Sequence, residues 1–139
     1  MSQLSKESSK ESGGDALSRY PAEIQEAARA AFSKKAERVV VLDLRQGPAF
    51  TDFFIVCSGQ NTRQVKAIVD AIDEGLRKTC EQKPLYIEGY GESEWVLLDY
   101  FDFVVHVFTP ESREFYALER LWGSAERIEL SDDKAKSRQ

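Results

Sequence analysis

Apolar side chains recur along this chain in two rhythms, one helical and one alternating, and each change of rhythm marks a new element. Ile24, Ala28, Ala31 and Phe32 return at helical spacing, which predicts a first helix over residues 21–34 with Pro21 suited to its opening turn. The valine run of RVVVLDL (38–44) and the run TDFFIVCS (51–58) predict two strands, and Gly47 and Pro48 between them predict a turn that pairs them antiparallel. Helical spacing resumes over 62–78, where Val65, Ile68, Val69, Ile72 and Leu76 form one stripe. Asn61 stands where an N-cap is needed, and Gln64, three residues on, can bond back to it in capping-box fashion.

After Pro84 a short strand (85–88) runs into the looser Gly89-Tyr90-Gly91, and then two apolar runs, 94–99 and 103–109, flank Tyr100, Phe101 and Asp102 as a hairpin. The second run, FVVHVF, is apolar on both alternating faces apart from one histidine, as befits a strand between neighbours. The first divides into Trp95, Leu97 and Asp99 on one face and Glu94, Val96, Leu98 and Tyr100 on the other. A tryptophan on such a mixed face is either partly covered by a helix or open to a partner. Thr109, Pro110 and Glu111 open a last helix whose apolar side is Phe115, Leu118, Leu121 and Trp122, with Gly123 as its stop. The expected fold is therefore α/β, a mixed five-stranded sheet with three helices in the order α-β-β-α-β-β-β-α. Residues 1–20, rich in Ser, Lys, Glu and Gly, are expected as a disordered tail, 21–123 as the domain, and 124–139 as a frayed tail in which only Ile128 and Leu130 could dock.

Charge sharpens the picture once it is divided. Each tail is neutral, so the net charge of −5 falls on residues 21–123, which hold 12 bases and 17 acids. An acidic domain repels phosphate, which makes a basic protein a better partner than RNA, with little direct nucleic-acid contact. The sequence contains no apolar run of membrane-spanning length and no secretory segment at its start, so a cytoplasmic location is expected. Cys57 and Cys80 lack metal-ligand or scaffold spacing and are expected as reduced, packed thiols.

Candidate chemistry is sparse. His106 is the single histidine. Any nucleophile–histidine mechanism would pass through it, yet a strand position between Val105 and Val107 suits a packed ring bonded to backbone or a carboxylate. One histidine and two distant cysteines make no transition-metal set, and no glycine-rich loop followed by lysine offers a phosphate cradle. No catalytic residue, metal or cofactor is expected.

The ordered residues Trp95, Asp99, Asp102, Val105, His106, Val107, Arg113, Tyr116, Leu118, Glu119, Leu121 and Trp122, with an earlier block of Thr51, Asp52, IVCSG (55–59), Arg63 and Val65, resemble the ribosomal silencing factor (Iojap) family in order and spacing. The resemblance covers residues 21–123. It implies a fold related to the nucleotidyltransferases and a protein that binds large-subunit ribosomal protein number fourteen, blocks joining of the ribosomal subunits by steric overlap and so represses translation. It also implies that Trp95 and the strand leading to Asp99 carry the contact, which makes Glu94, Trp95, Leu97, Asp99, Tyr100, Phe101 and Asp102 the expected partner-binding set. The family usually places glycine where Phe101 stands, so the backbone of this turn is the point of departure. The fold kinship keeps one alternative open, an enzyme holding metal on Asp43, Asp52, Asp99 and Asp102, although the reversed Ser58-Gly59 and the lack of an Asp-x-Asp pair count against it. A homodimer formed through the Trp95 face is a third possibility.

Overall fold

The computed structural model describes residues 16–131, so the expectations for 1–15 and 132–139 fall outside the described residues. In chain order the elements are α1 (Ala22–Ser33), β1 (Glu37–Asp43), β2 (Phe53–Ser58), α2 (Thr62–Cys80), β3 (Tyr86–Glu88), β4 (Trp95–Asp99), β5 (Phe103–Phe108), α3 (Pro110–Tyr116), α4 (Leu118–Leu121) and β6 (Glu126–Glu129). The strands form one mixed sheet in the order β3-β4-β5-β2-β1-β6. All neighbours are antiparallel except β2 and β5, which run parallel from Phe53↔Phe103 to Ser58↔Phe108. Among the described residues no helix is long and apolar enough to cross a membrane.

The stripe on α2 is buried throughout, and its N-terminus is capped as the sequence implies: Asn61 accepts from the Gln64 amide. The return bond lands one residue early, because Gln64 Oε1 accepts from the Gln60 N–H at 2.7 Å instead of from Asn61. The alanine side of α1 lies along α2, where Gly75 leaves no side chain between the helices and Ala30 and Glu26 take the space. Together α1 and α2 close one face of the sheet over Val39, Val41, Phe53, Ile55, Cys57, Val96, Leu98, Val105 and Val107. β5 is buried at every position, as a strand between β4 and β2 must be.

Two expectations are corrected. The sheet has six strands, because residues 126–129 of the supposed tail pair with β1 from Val40↔Glu129 to Asp43↔Glu126. Physically, β1 presents five consecutive buried residues, too apolar to stand at an edge, and the polar ERIE segment covers it while Ile128 and Leu130 reach the core. At the other end of the domain, Ala16 and Tyr20 pack as core residues within the span expected as tail.

The last helix is also not continuous. It breaks at Ala117, whose backbone is left-handed at φ 47°, so the last of the three expected helices consists of two short pieces, α3 and α4. The cause is Arg113, which is buried and bonded twice to Glu119, at 2.9 Å through Nε and 2.9 Å through Nη2. In an unbroken helix a residue six positions on lies about 240° around the axis, away from its partner. Breaking the helix brings Glu119 back. Phe115 and Leu121, expected on the apolar side, face solvent.

A candidate protein-docking site

Alternate residues of the same strands face the other side of the sheet, where α3 and α4 give only partial cover. Val40, Leu42, Val56 and Phe108 are buried there, with Phe54, Trp95, Leu118 and Trp122 packed around them. Between the hairpin and Trp122 the cover stops, leaving a groove of about 230 Å³. Its floor is Phe54, Leu97, Val104 and His106, and its wall includes Phe50 and Tyr86. Among the described residues Glu88 and Asp99 are the charged groups of the lining, and no cation joins them. Phe50, in the loop between β1 and β2, is 93% exposed, an unusual place for a phenylalanine with nothing to cover it.

His106 is packed, as expected, but its partner is neither backbone nor carboxylate: the indole Nε1–H of Trp95 donates to its Nδ1 at 3.1 Å. An indole nitrogen can only donate, so Nδ1 must accept and the proton of the neutral ring sits on Nε2. Among the described residues Nε2 has no hydrogen-bond partner, although the residue is only 3% exposed. Burial lowers the imidazole pKa to about 4, so the ring is neutral at physiological pH. A buried N–H left unmatched costs about 1–3 kcal/mol.

The expected contact residues are divided between two faces. Leu97 and Asp99 line the groove, whereas Glu94, Phe101 and Asp102 are exposed and lie outside its lining. Trp95 is half-buried: its ring stacks on Phe108 at 5.0 Å and meets Tyr116 at 4.6 Å, so much of its area is spent inside the protein. Of the two openings left by the sequence, partial helical cover is the one that α3 realises. Tyr100 does not join the group. It lies on the closed face, 5% exposed and stacked on Phe103, and burial raises its phenol pKa.

The turn of the hairpin resolves the Phe101 departure. Phe101 takes φ 77°, the conformation glycine would adopt freely, and its ring stands 69% exposed. Three bonds hold it there: its N–H donates to Asp99 Oδ1 at 2.8 Å, its carbonyl accepts from the Thr51 hydroxyl at 2.9 Å, and the adjoining Asp102 carbonyl accepts from the Asp52 amide at 2.8 Å. Asp99 therefore both caps the turn and forms the groove rim, where Tyr86 is its cross-strand partner. Besides the β2–β5 pairing, the two separated sequence blocks are joined here and at Ser58, whose hydroxyl oxygen accepts from Arg113 Nη1 at 2.9 Å.

The four aspartates weighed for metal do not converge. Asp43 is paired with Arg45 and Asp99 is bonded within its turn. Among the described residues no group of three or more His, Cys, Asp or Glu side chains is arranged to hold a metal. Sequence reasoning missed Phe50, Phe54, Tyr86, Glu88 and Val104 as groove residues, while the helix end near Trp122 was among its candidates for the partner site. A phenylalanine ending the Gly-Pro turn of 45–50 was the one readable sign, since turns seldom carry an aromatic that a core does not need.

Comparison with known proteins follows this geometry. The model of the family described as ribosomal silencing factor during starvation matches residues 18–139. The chain is similar to ribosomal silencing factor RsfS of Halalkalibacterium halodurans, 41% identical over 110 residues, which span 77% of this chain and 91% of that one. A crystal structure of a Chromobacterium violaceum protein superposes with a TM-score of 0.70 at 33% identity, covering 73% of this chain and 83% of the other. A mouse protein named mitochondrial assembly of ribosomal large subunit protein 1 is 32% identical over 91 residues, 64% of this chain and 40% of the mouse one.

Proposed function

Because the chain belongs to the ribosomal silencing factor family, we propose that it docks on the large ribosomal subunit through ribosomal protein number fourteen and keeps the small subunit from joining. The observation that carries this reading is the uncovered groove, apolar on its floor and acidic on its rim, beside the hairpin that the family resemblance singles out. An apolar centre ringed by charge is the form in which protein contacts concentrate their energy, and carboxylates steer the approach of a basic ribosomal protein. The contact set is Leu97, Asp99, Phe101, Asp102 and Glu94, with Phe50 and Tyr86 added from the structure and Trp95 supporting them from behind. The name of the mouse relative, with its reference to the large subunit, supports the choice of subunit. Steric exclusion asks for no catalysis, and the cytoplasm is the place of action.

Co-sedimentation with isolated large subunits tests the proposal. The full chain is expected to pellet with them, to be displaced as salt rises, and to be absent from intact ribosomes. Leu97→Lys, which places a cation against the groove floor, is expected to leave the protein in the supernatant while its thermal unfolding stays cooperative. Retention of Leu97→Lys at wild-type affinity would overturn the groove as the contact. Light scattering that showed a dimer converted to monomer by the same substitution would instead assign the face to self-association.

A further inference from the structure

Resting on that docking reading, we infer that the groove contains a hydrogen-bonding subsite, in which His106 Nε2–H donates to a peptide carbonyl oxygen of a cationic protein segment seated over Phe54, Leu97, Val104 and Trp122. The donor is fixed by geometry. Trp95 occupies Nδ1, which leaves the only imidazole proton on Nε2, and no acceptor among the described residues meets it. The ring is clamped, since Phe54 meets it edge-on at 4.5 Å and Phe108 lies parallel at 6.3 Å, so it cannot swing away to find another partner. A buried polar group that the described residues leave unmatched calls for an acceptor from outside them.

The chemistry of that acceptor follows from the lining. Among the described residues Glu88 and Asp99 face the groove and no cation does, which turns away carboxylates and phosphates and favours a neutral oxygen carried by a positively charged chain. An RNA base offers carbonyl oxygens too, but it would bring its phosphates past both carboxylates. The apolar floor then takes one large side chain of the segment, and the carbonyl beside that side chain meets His106 Nε2, which is closed to solvent in the free chain and is uncovered as the lining side chains part on docking. Satisfying the donor only in the complex makes it a determinant of specificity, because a surface of equal charge and greasiness without the carbonyl leaves the N–H buried and unmatched.

The single histidine makes the test direct. With the full chain labelled with nitrogen-15 at histidine and tryptophan, the free protein is expected to show the Nε2–H tautomer. Addition of isolated large-subunit ribosomal protein number fourteen is expected to move the Hε2 proton downfield and slow its exchange with water. If the Trp122 indole signal moves while Hε2 keeps its shift and exchange rate, the subsite is overturned and the docking reading stands. If neither moves, the docking reading falls with it. Affinity supplies a second reading: His106→Asn keeps an acceptor for Trp95 but withdraws the Nε2 donor, and is expected to bind about tenfold more weakly. His106→Gln, whose amide reaches the Nε2 position, is expected to stay within about threefold of wild type. Equal binding by His106→Asn and wild type would overturn the subsite, and the labelled wild-type chain decides the matter if both variants unfold.

Discussion

The two faces of this sheet are built from alternate residues of the same strands, yet one is finished and the other is not. Under α1 and α2 the strands present mostly valine, isoleucine, leucine and cysteine, with Phe53 and Phe103 opening β2 and β5, all of them buried. On the opposite face the same strands present Phe54, Trp95, Leu97, His106 and Phe108, held by ring contacts and covered by two helices that together stop short of the hairpin. Aliphatic groups are used up in a close-packed interior, whereas aromatic and amphipathic groups can serve a fold and a partner in turn. The closed face makes the domain stable, and the open face makes it adhesive.

The sharpest way to break this comparison is to cut into each face and ask which property fails. Ile72→Ala, deep on the closed face, is expected to cost about 2–5 kcal/mol in denaturant unfolding and to leave the affinity of the folded fraction for large subunits unchanged. Acid probes the open face next. His106 is depressed from its ordinary value to about 4 by burial, so between about pH 6.5 and 4 the unfolded chain binds the proton that the folded one refuses. Stability is therefore complete above about pH 6.5 and falls as the pH drops towards 4, by up to about 3 kcal/mol. Urea titrations at stepped pH should show this loss, and His106→Gln should flatten it.

Smaller effects sharpen the contrast. Phe50→Ala removes a ring that touches solvent almost everywhere, so unfolding midpoints should not change, while affinity for large subunits should fall by about 2 kcal/mol, or roughly thirtyfold, if the ring is a hot spot. Phe101→Gly should act in opposite senses on the two properties. It relieves a left-handed phenylalanine and should raise stability by about 0.5–1 kcal/mol after the extra freedom of glycine in the unfolded chain is counted. Thermal scans would record that gain. Docking should weaken with the loss of the exposed ring, and unchanged docking would remove Phe101 from the contact set.

Much of the closed face was legible in the sequence, because the stripe on α2, the Asn61 cap and the antiparallel β1–β2 pair all rest on spacing within short windows. The open face was legible only in part. Trp95, Leu97 and Asp99 were correctly placed on one side of β4, but nothing local could say that Tyr116 would lie over the indole or that the histidine's partner would be the tryptophan eleven residues earlier. The groove joins Phe50, Tyr86, Leu97, Val104 and Trp122, which come from five separate stretches of chain. Sequence spacing has no access to such a meeting.

By itself, then, the sequence determined the character of each element: which face of every strand is apolar, where α2 starts, that the hairpin turn sits at residues 100–102, and which family the motifs resemble. Tertiary structure alone decided that ERIE is a strand, that the last helix breaks at Ala117 and that Phe101 holds a glycine's conformation. Each of those outcomes overrides a local preference with a distant interaction: the apolar edge of β1, the buried Arg113 that needs Glu119, and the Thr51 and Asp52 bonds that pin the turn. Local preferences are worth tenths of a kcal/mol up to about one, and a buried charge or an uncovered strand outweighs them.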